Sequence, residues 1–127
     1  MPIKAKILFI EDDPDQIFLY QTKFKLEGYN LISARNKIES VKITLTEKPD
    51  LILLDILLAN ENGIDVLRDL KANEQTKNIP IVVFTNFDKE ETINQAMSLG
   101  AVDYVIKSKV VPSEIVKKVA DLLKHRL

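Results

Sequence analysis

Five short aliphatic or β-branched runs alternate along this chain with five amphipathic stretches about three turns long, and no linker, repeat or low-complexity segment intervenes. That alternation constrains the fold more than any other feature. Strands joined through helices pair in parallel and are covered on both faces, which is where consecutive aliphatic residues can be buried. The runs are KILFI (Lys6–Ile10), NLIS (Asn30–Ser33), LILLD (Leu51–Asp55), PIVVFT (Pro80–Thr85) and VDYVIK (Val102–Lys107). Between them, Ile17, Tyr20 and Phe24 share a helix face that ends at Gly28. Ile38, Val41 and Leu45 recur at i, i+3, i+7 before Pro49 and are expected to point inward. Ile64, Leu67 and Leu70 follow Gly63, Ile93, Ala96 and Met97 mark a fourth helix closed by Gly100, and Ile115, Val119, Leu122 and Leu123 follow Pro112. Lys124, His125 and Arg126 suit the C-terminal end of that last helix.

At 127 residues the chain is expected to form a single domain over residues 1–127, with a core over about 5–126 and no output domain. Hydrophobic residues at 46% and charged residues at 29% fit a globular protein and exclude a disordered one. The formal net charge of −1 disfavours a general nucleic-acid or anionic-membrane role. With no Cys and one His, disulfide scaffolds, thiolate zinc sites, thiol nucleophiles and His-based triads are excluded by counting. The N-terminal MPIKAKILFIEDD has no adequate signal-peptide core, and LILLDILL is interrupted by Asp55, so a cytoplasmic protein is expected.

Right-handed crossovers on five parallel strands place helices on both faces and the functional crevice at the carboxyl ends of the strands. Those ends carry Glu11, Asp12 and Asp13, then Asp55, Thr85 and Lys107. Asp55 lies among aliphatic residues, where a carboxylate is costly unless a cation compensates it. Singly, each residue has an ordinary reading. Asp13–Pro14 is a good N-cap and first-turn pair, Asp55 can cap a loop or pair with Lys107, and Thr85 is a β-favouring residue at a strand end. Together, Glu11, Asp12 and Asp55 with a backbone carbonyl offer an all-oxygen site for a hard divalent cation, Mg²⁺ or secondarily Mn²⁺. With the cation offsetting charge, Asp55 can act as a nucleophile toward a phosphoryl group, Lys107 and Thr85 serving its oxygens.

In these residues the chain resembles the receiver domain of two-component response regulators, which is flavodoxin-like. The resemblance runs from KILFIEDDPD through KPDLILLDILLANENGIDVLRDLK and IPIVVFTN to GAVDYVIKS and the last helix. It implies a (βα)5 three-layer α/β sandwich whose five parallel strands lie in the order 2-1-3-4-5. It further implies that Asp55 is the phosphoacceptor, Asp12 a direct metal ligand, Glu11 a holder of metal-bound water, and the Leu57 carbonyl the third protein ligand. Thr85 and Tyr104 fall on the family's switch pair. In that scheme the Thr85 hydroxyl turns toward the phosphoryl group and Tyr104 moves inward, remodelling the surface of the fourth helix, fifth strand and fifth helix. The implied partners are a sensor histidine kinase or histidine phosphotransfer protein and a downstream protein target, without direct nucleic-acid or membrane binding, the domain acting as a monomer or a phosphorylation-dependent dimer.

The chain departs from the family pattern at several places. Ala59 replaces the usual Pro four residues past the acceptor and is expected to loosen the loop before Gly63. Ser108 replaces the usual Pro after the lysine, so no cis peptide is expected there. Asn86 stands where a very small residue is usual, and Leu57 and Phe87 are apolar where some relatives carry polar groups. Slow self-dephosphorylation is the expectation from these three positions.

The principal rival is a pseudo-receiver, the same fold used as a phosphorylation-independent docking module; the complete acidic, Thr and Lys set argues against it. A flavin carrier would want phosphate-binding donors where Glu11, Asp12 and Asp13 stand, and a dehalogenase-type phosphatase would want a second Asp at Leu57. From Lys107 onward the bases exceed the acids by four, most simply a solvated face and secondarily a surface for an acidic partner.

Overall fold

The computed structural model describes residues 2–125; Arg126, read above as part of the last helix, lies outside the described residues. The chain runs β1 (Lys6–Ile10), α1 (Pro14–Leu26), β2 (Asn30–Ala34), α2 (Lys37–Glu47), β3 (Leu51–Leu54), β4 (Leu57–Leu58), β5 (Glu61–Asn62), α3 (Gly63–Ala72), β6 (Ile81–Thr85), α4 (Glu90–Ser98), β7 (Asp103–Ile106) and α5 (Pro112–Lys124). A 3₁₀ turn at Lys107–Lys109 separates β7 from α5.

Five strands form one parallel sheet in the order β2-β1-β3-β6-β7, the flavodoxin-like arrangement expected. In β1 the pairing runs on both sides, Ile10 standing opposite Ala34 and Leu54. Side chains alternate across the sheet and so divide the core in two. Leu8, Ile10, Ile52, Leu54, Ile81 and Val83 pack with Ile64, Leu67 and Leu70 of α3 and Ala96 of α4. Ile7, Phe9, Leu51, Leu53, Val82 and Phe84 pack on the other face with Tyr20 and Phe24 of α1 and Ile115 and Val119 of α5. Each large apolar side chain so buried contributes about 1.5–3 kcal/mol before conformational entropy is offset. Among the described residues no helix is long and apolar enough to cross a membrane.

Polar caps start the first two helices, and the Asp13–Pro14 pair read from the sequence is the first of them. Asp13 accepts the Asp15 N–H at 2.9 Å with Pro14 in the first turn, and Asn36 accepts the Glu39 N–H at 2.9 Å.

Helix α2 differs from expectation in the face it buries. Ile38 is 81% exposed, while Ser40 and Thr44 are buried and Val41 and Ile43 pack half-buried beside them. The hydroxyls of Ser40 and Thr44 donate to the carbonyls of Asn36 and Ser40, each at 2.6 Å. Small side chains satisfied four residues back cost little to bury, so Ser40 and Thr44 share the inward side with Val41, and the expectation fails at Ile38. In α4, Ala96 is buried but Met97 is 43% exposed.

The loop after Asp55 forms an antiparallel hairpin, Leu57 opposite Asn62 and Leu58 opposite Glu61, turning at Ala59–Asn60 with Asn60 at φ 64. Ala59 contributes to this order, because its N–H donates to an Asp12 carboxylate oxygen. A proline at 59 would have no N–H to give.

Candidate functional site

The carboxyl ends of β1, β3, β6 and β7 meet at one edge of the sheet, and the side chains just beyond them converge. Asp55 is held by its own N–H, which donates to the Ile10 carbonyl at 3.0 Å and continues the β1–β3 ladder by one residue. Its carboxylate is only 5% exposed yet fully engaged. Oδ1 accepts the Thr85 hydroxyl at 2.6 Å and the Leu57 N–H at 2.9 Å, and Oδ2 accepts Lys107 Nζ at 2.7 Å. The ordinary reading of Asp55 as a loop cap paired with Lys107 therefore holds alongside any chemical role.

Lys107 reaches inward past aromatic walls. Its ammonium lies 5.6 Å and 5.7 Å from the ring centroids of Phe9 and Phe84, and 3.4 Å from Glu11 Oε2. Glu11 is 3% exposed, and one lysine cannot balance two buried carboxylates. Burial, and then the hydrogen bond and charge of Asp55, push the Glu11 carboxyl up to about 8. Burial also acts against ionised Asp55, but hydrogen bonds from Glu11, Lys107 and Thr85 outweigh it and hold that carboxyl below its ordinary value. The two directions are opposite, so the pair titrates together, with Glu11 the member that favours the proton and Asp55 the member that favours the charge.

Thr85 connects this centre to β7. Its Oγ accepts the Phe87 N–H at 3.3 Å while its hydroxyl proton serves Asp55, and the Phe87 carbonyl accepts the Tyr104 hydroxyl at 2.6 Å. Tyr104 packs half-buried against the α3–α4 side of the core. Burial first, then the charges of Asp55 and Asp88, push its phenol up to about 12. Thr85 thus faces Asp55 while Tyr104 is held half-buried through the Phe87 carbonyl.

Asp12 is not brought together with Glu11 and Asp55: its carboxylate turns to Ala59 N–H and lines a separate cleft with Arg35, Asn36 and Glu39. Accordingly, among the described residues no three acidic or imidazole side chains stand ready-made at metal-ligating positions. The donor chemistry nevertheless fits a hard cation. The acids offer only oxygen, and burial and then Asp55 raise the Glu11 carboxyl beside a single lysine, so the site favours added positive charge.

The cleft over Asp55, about 390 Å³, is lined by Glu11, Asp55, Leu57, Asn86 and Lys107 as expected, and also by Asp13, Gln16, Tyr20 and Ser108. Tyr20 was read as core, and its ring does stack edge-on against Phe9 and Phe84 with centroids 5.6 Å and 5.1 Å away. The available signal was chemical: a buried tyrosine, unlike phenylalanine, needs a polar outlet for its hydroxyl. Phe87 acts here through its backbone, its ring facing Lys89 at 5.7 Å.

A family model described as the response regulator receiver domain matches residues 7–120. The chain belongs to that family. Among similar receivers is the phosphate regulon transcriptional regulatory protein PhoB of Pseudomonas aeruginosa, 32% identical over 119 residues that cover 94% of this chain and 52% of that protein. Protein PilH of the same organism is 30% identical over 103 residues, covering 81% of this chain and 85% of PilH. The chain spans about half the length of several curated relatives it matches, the alkaline phosphatase synthesis regulator PhoP of Bacillus subtilis (50%) among them. Of solved structures, the BeF3-activated receiver domain of Klebsiella pneumoniae RstA superposes with a TM-score of 0.84 at 29% identity, covering 94% of this chain and 99% of that one. A two-component response regulator from Clostridium difficile gives 0.88 at 26% identity, covering 96% and 98%.

Proposed function

We propose that this receiver domain accepts a phosphoryl group on the Asp55 carboxylate in a Mg²⁺-dependent transfer from a sensor histidine kinase or histidine phosphotransfer protein, in the cytoplasm. The observation that carries the reading is the Asp55 carboxylate itself, buried yet facing an open cleft, with Lys107 Nζ at 2.7 Å and the Thr85 hydroxyl at 2.6 Å. In the transfer a bond forms between an Asp55 oxygen and phosphorus as the donor's bond to phosphorus breaks, the electron pair leaving with the donor. Lys107 and Thr85, which hold the carboxylate's charge beforehand, are placed to follow that charge onto the phosphoryl oxygens.

Asp12, Glu11, Asp55 and the Leu57 carbonyl would hold the cation. For Asp12 this requires leaving Ala59 N–H, and for Glu11 it requires giving up its proton. When bound, Mg²⁺ neutralises phosphoryl charge and so permits one anion to approach another. Withdrawal of the Thr85 hydroxyl to the phosphoryl group would be felt at Phe87 and, through its carbonyl, at Tyr104. That coupling supports a signal read out on the surface of α4, β7 and α5 by a downstream protein.

The reading is tested by intact-mass spectrometry after incubation with acetyl phosphate, with Mg²⁺ or with EDTA, for this protein and Asp55→Ala. One Mg²⁺-dependent phosphoryl adduct, absent in the variant, is expected. No adduct under either condition contradicts it and points to the docking module.

A further inference from the structure

Two departures from the receiver pattern are bonded to each other. Asn86 stands where a very small residue is usual and Ser108 where proline is usual, and the Ser108 N–H donates to Asn86 Oδ1 at 2.8 Å. A proline at 108 could not make this bond. It ties the residue after Thr85 to the residue after Lys107, and so spans the mouth of the site between β6 and the 3₁₀ turn. It also orients the amide, because the atom facing an N–H donor must be oxygen. The Asn86 NH₂ is left with no hydrogen-bond partner among the described residues. Asn86 and Ser108 both line the cleft that holds Asp55, Glu11 and Lys107.

We infer that Asn86, clasped by Ser108, is a further anion-binding residue of this site: its NH₂ donates to a phosphoryl oxygen on Asp55 and its amide covers the path of attacking water. The inference rests on Asp55 being the acceptor. In hydrolysis the water oxygen bonds to phosphorus as the bond from phosphorus to the Asp55 oxygen breaks. The electron pair returns to the carboxylate, inorganic phosphate leaves, and the water's protons pass to phosphate and solvent. A pinned amide in the mouth adds a donor to the bound anion and takes up space that water needs. Ser108 is a positioning residue, acting only through Asn86.

The test measures two quantities in the full chain: beryllofluoride affinity with Mg²⁺, by ¹⁹F NMR titration, and the lifetime of the phosphoryl adduct. Asn86→Ala is expected to weaken beryllofluoride and shorten the lifetime by about tenfold each, the factor carried by one charge-assisted hydrogen bond. Asn86→Asp keeps an oxygen for Ser108 but loses the donor, and is expected to fall at least as far. Ser108→Pro moves both readouts in the same direction, and the double variant Asn86→Ala with Ser108→Pro is no worse than Asn86→Ala alone. Unchanged affinity, an unchanged lifetime or additive losses in the double variant overturn the inference. Wild-type protein that neither binds beryllofluoride nor accepts a phosphoryl group overturns the acceptor reading itself. Normal wild-type phosphorylation with an indifferent Asn86→Ala overturns only the role of Asn86.

Discussion

Gly63 lies against the backbone of Asp55: a Cβ built on it would stand 2.4 Å from the Asp55 carbonyl oxygen and 2.6 Å from Ile56 Cα. The helix that follows the β4–β5 hairpin therefore starts as close to the Asp55 backbone as a chain can come, and Gly63 N–H fastens it there by donating to the Ile56 carbonyl at 2.9 Å. Gly63→Ala must push this backbone aside. A loss of about 1–3 kcal/mol in urea unfolding is expected, with slower phosphorylation because Asp55 moves relative to Lys107 and Thr85.

Among the described residues Lys107 is the cation within reach of both buried carboxylates, 2.7 Å from Asp55 and 3.4 Å from Glu11. Replacing it with methionine keeps the stem and removes the charge. The expected result is a cost of about 3 kcal/mol in metal-free unfolding, the scale for breaking a buried pair from one side, and phosphorylation slowed by more than tenfold.

The Tyr104 hydroxyl holds the Phe87 carbonyl at 2.6 Å, so Tyr104→Phe releases the segment between β6 and α4. Hydrogen exchange at residues 86–90 should accelerate, with a stability loss of about 1 kcal/mol. Acceptance of the phosphoryl group should persist, since Tyr104 makes no hydrogen bond to Asp55.

Glu11 sets a pH dependence. Its carboxyl sits near 4.5 when free and is pushed up to about 8 in the fold by burial and then by Asp55. Between those values the folded state holds a proton that the unfolded chain has released, so stability falls as pH rises. The contribution is complete below about 4.5 and gone above about 8. In EDTA-treated protein, the urea midpoint of the parent should decline relative to Glu11→Gln across that window, and a constant difference would contradict the assignment.

The sheet was legible because its strands are short, aliphatic and buried on both faces, and the site was legible because chain crossovers force the strand ends together. Asp55, Glu11, Thr85 and Lys107 meet as their positions at the carboxyl ends of β3, β1, β6 and β7 require. What escaped the sequence depends on single hydrogen bonds. The inward face of α2 is set by hydroxyls that bond back to carbonyls, which apolar periodicity does not record. Asp12 accepts from the Ala59 N–H and Asn86 from the Ser108 N–H, two donors that a proline at either position would lack. Substitutions read one at a time from the sequence looked independent; in space each missing proline supplies a donor to a side chain of the site.

The most direct test of the central claim is to treat the protein with acetyl phosphate and Mg²⁺, reduce the acyl phosphate with borohydride, and locate the resulting homoserine by tandem mass spectrometry. Homoserine at position 55 alone, dependent on both donor and Mg²⁺, is the predicted result. Homoserine at Asp12 or Asp13, or at no position, would contradict the account.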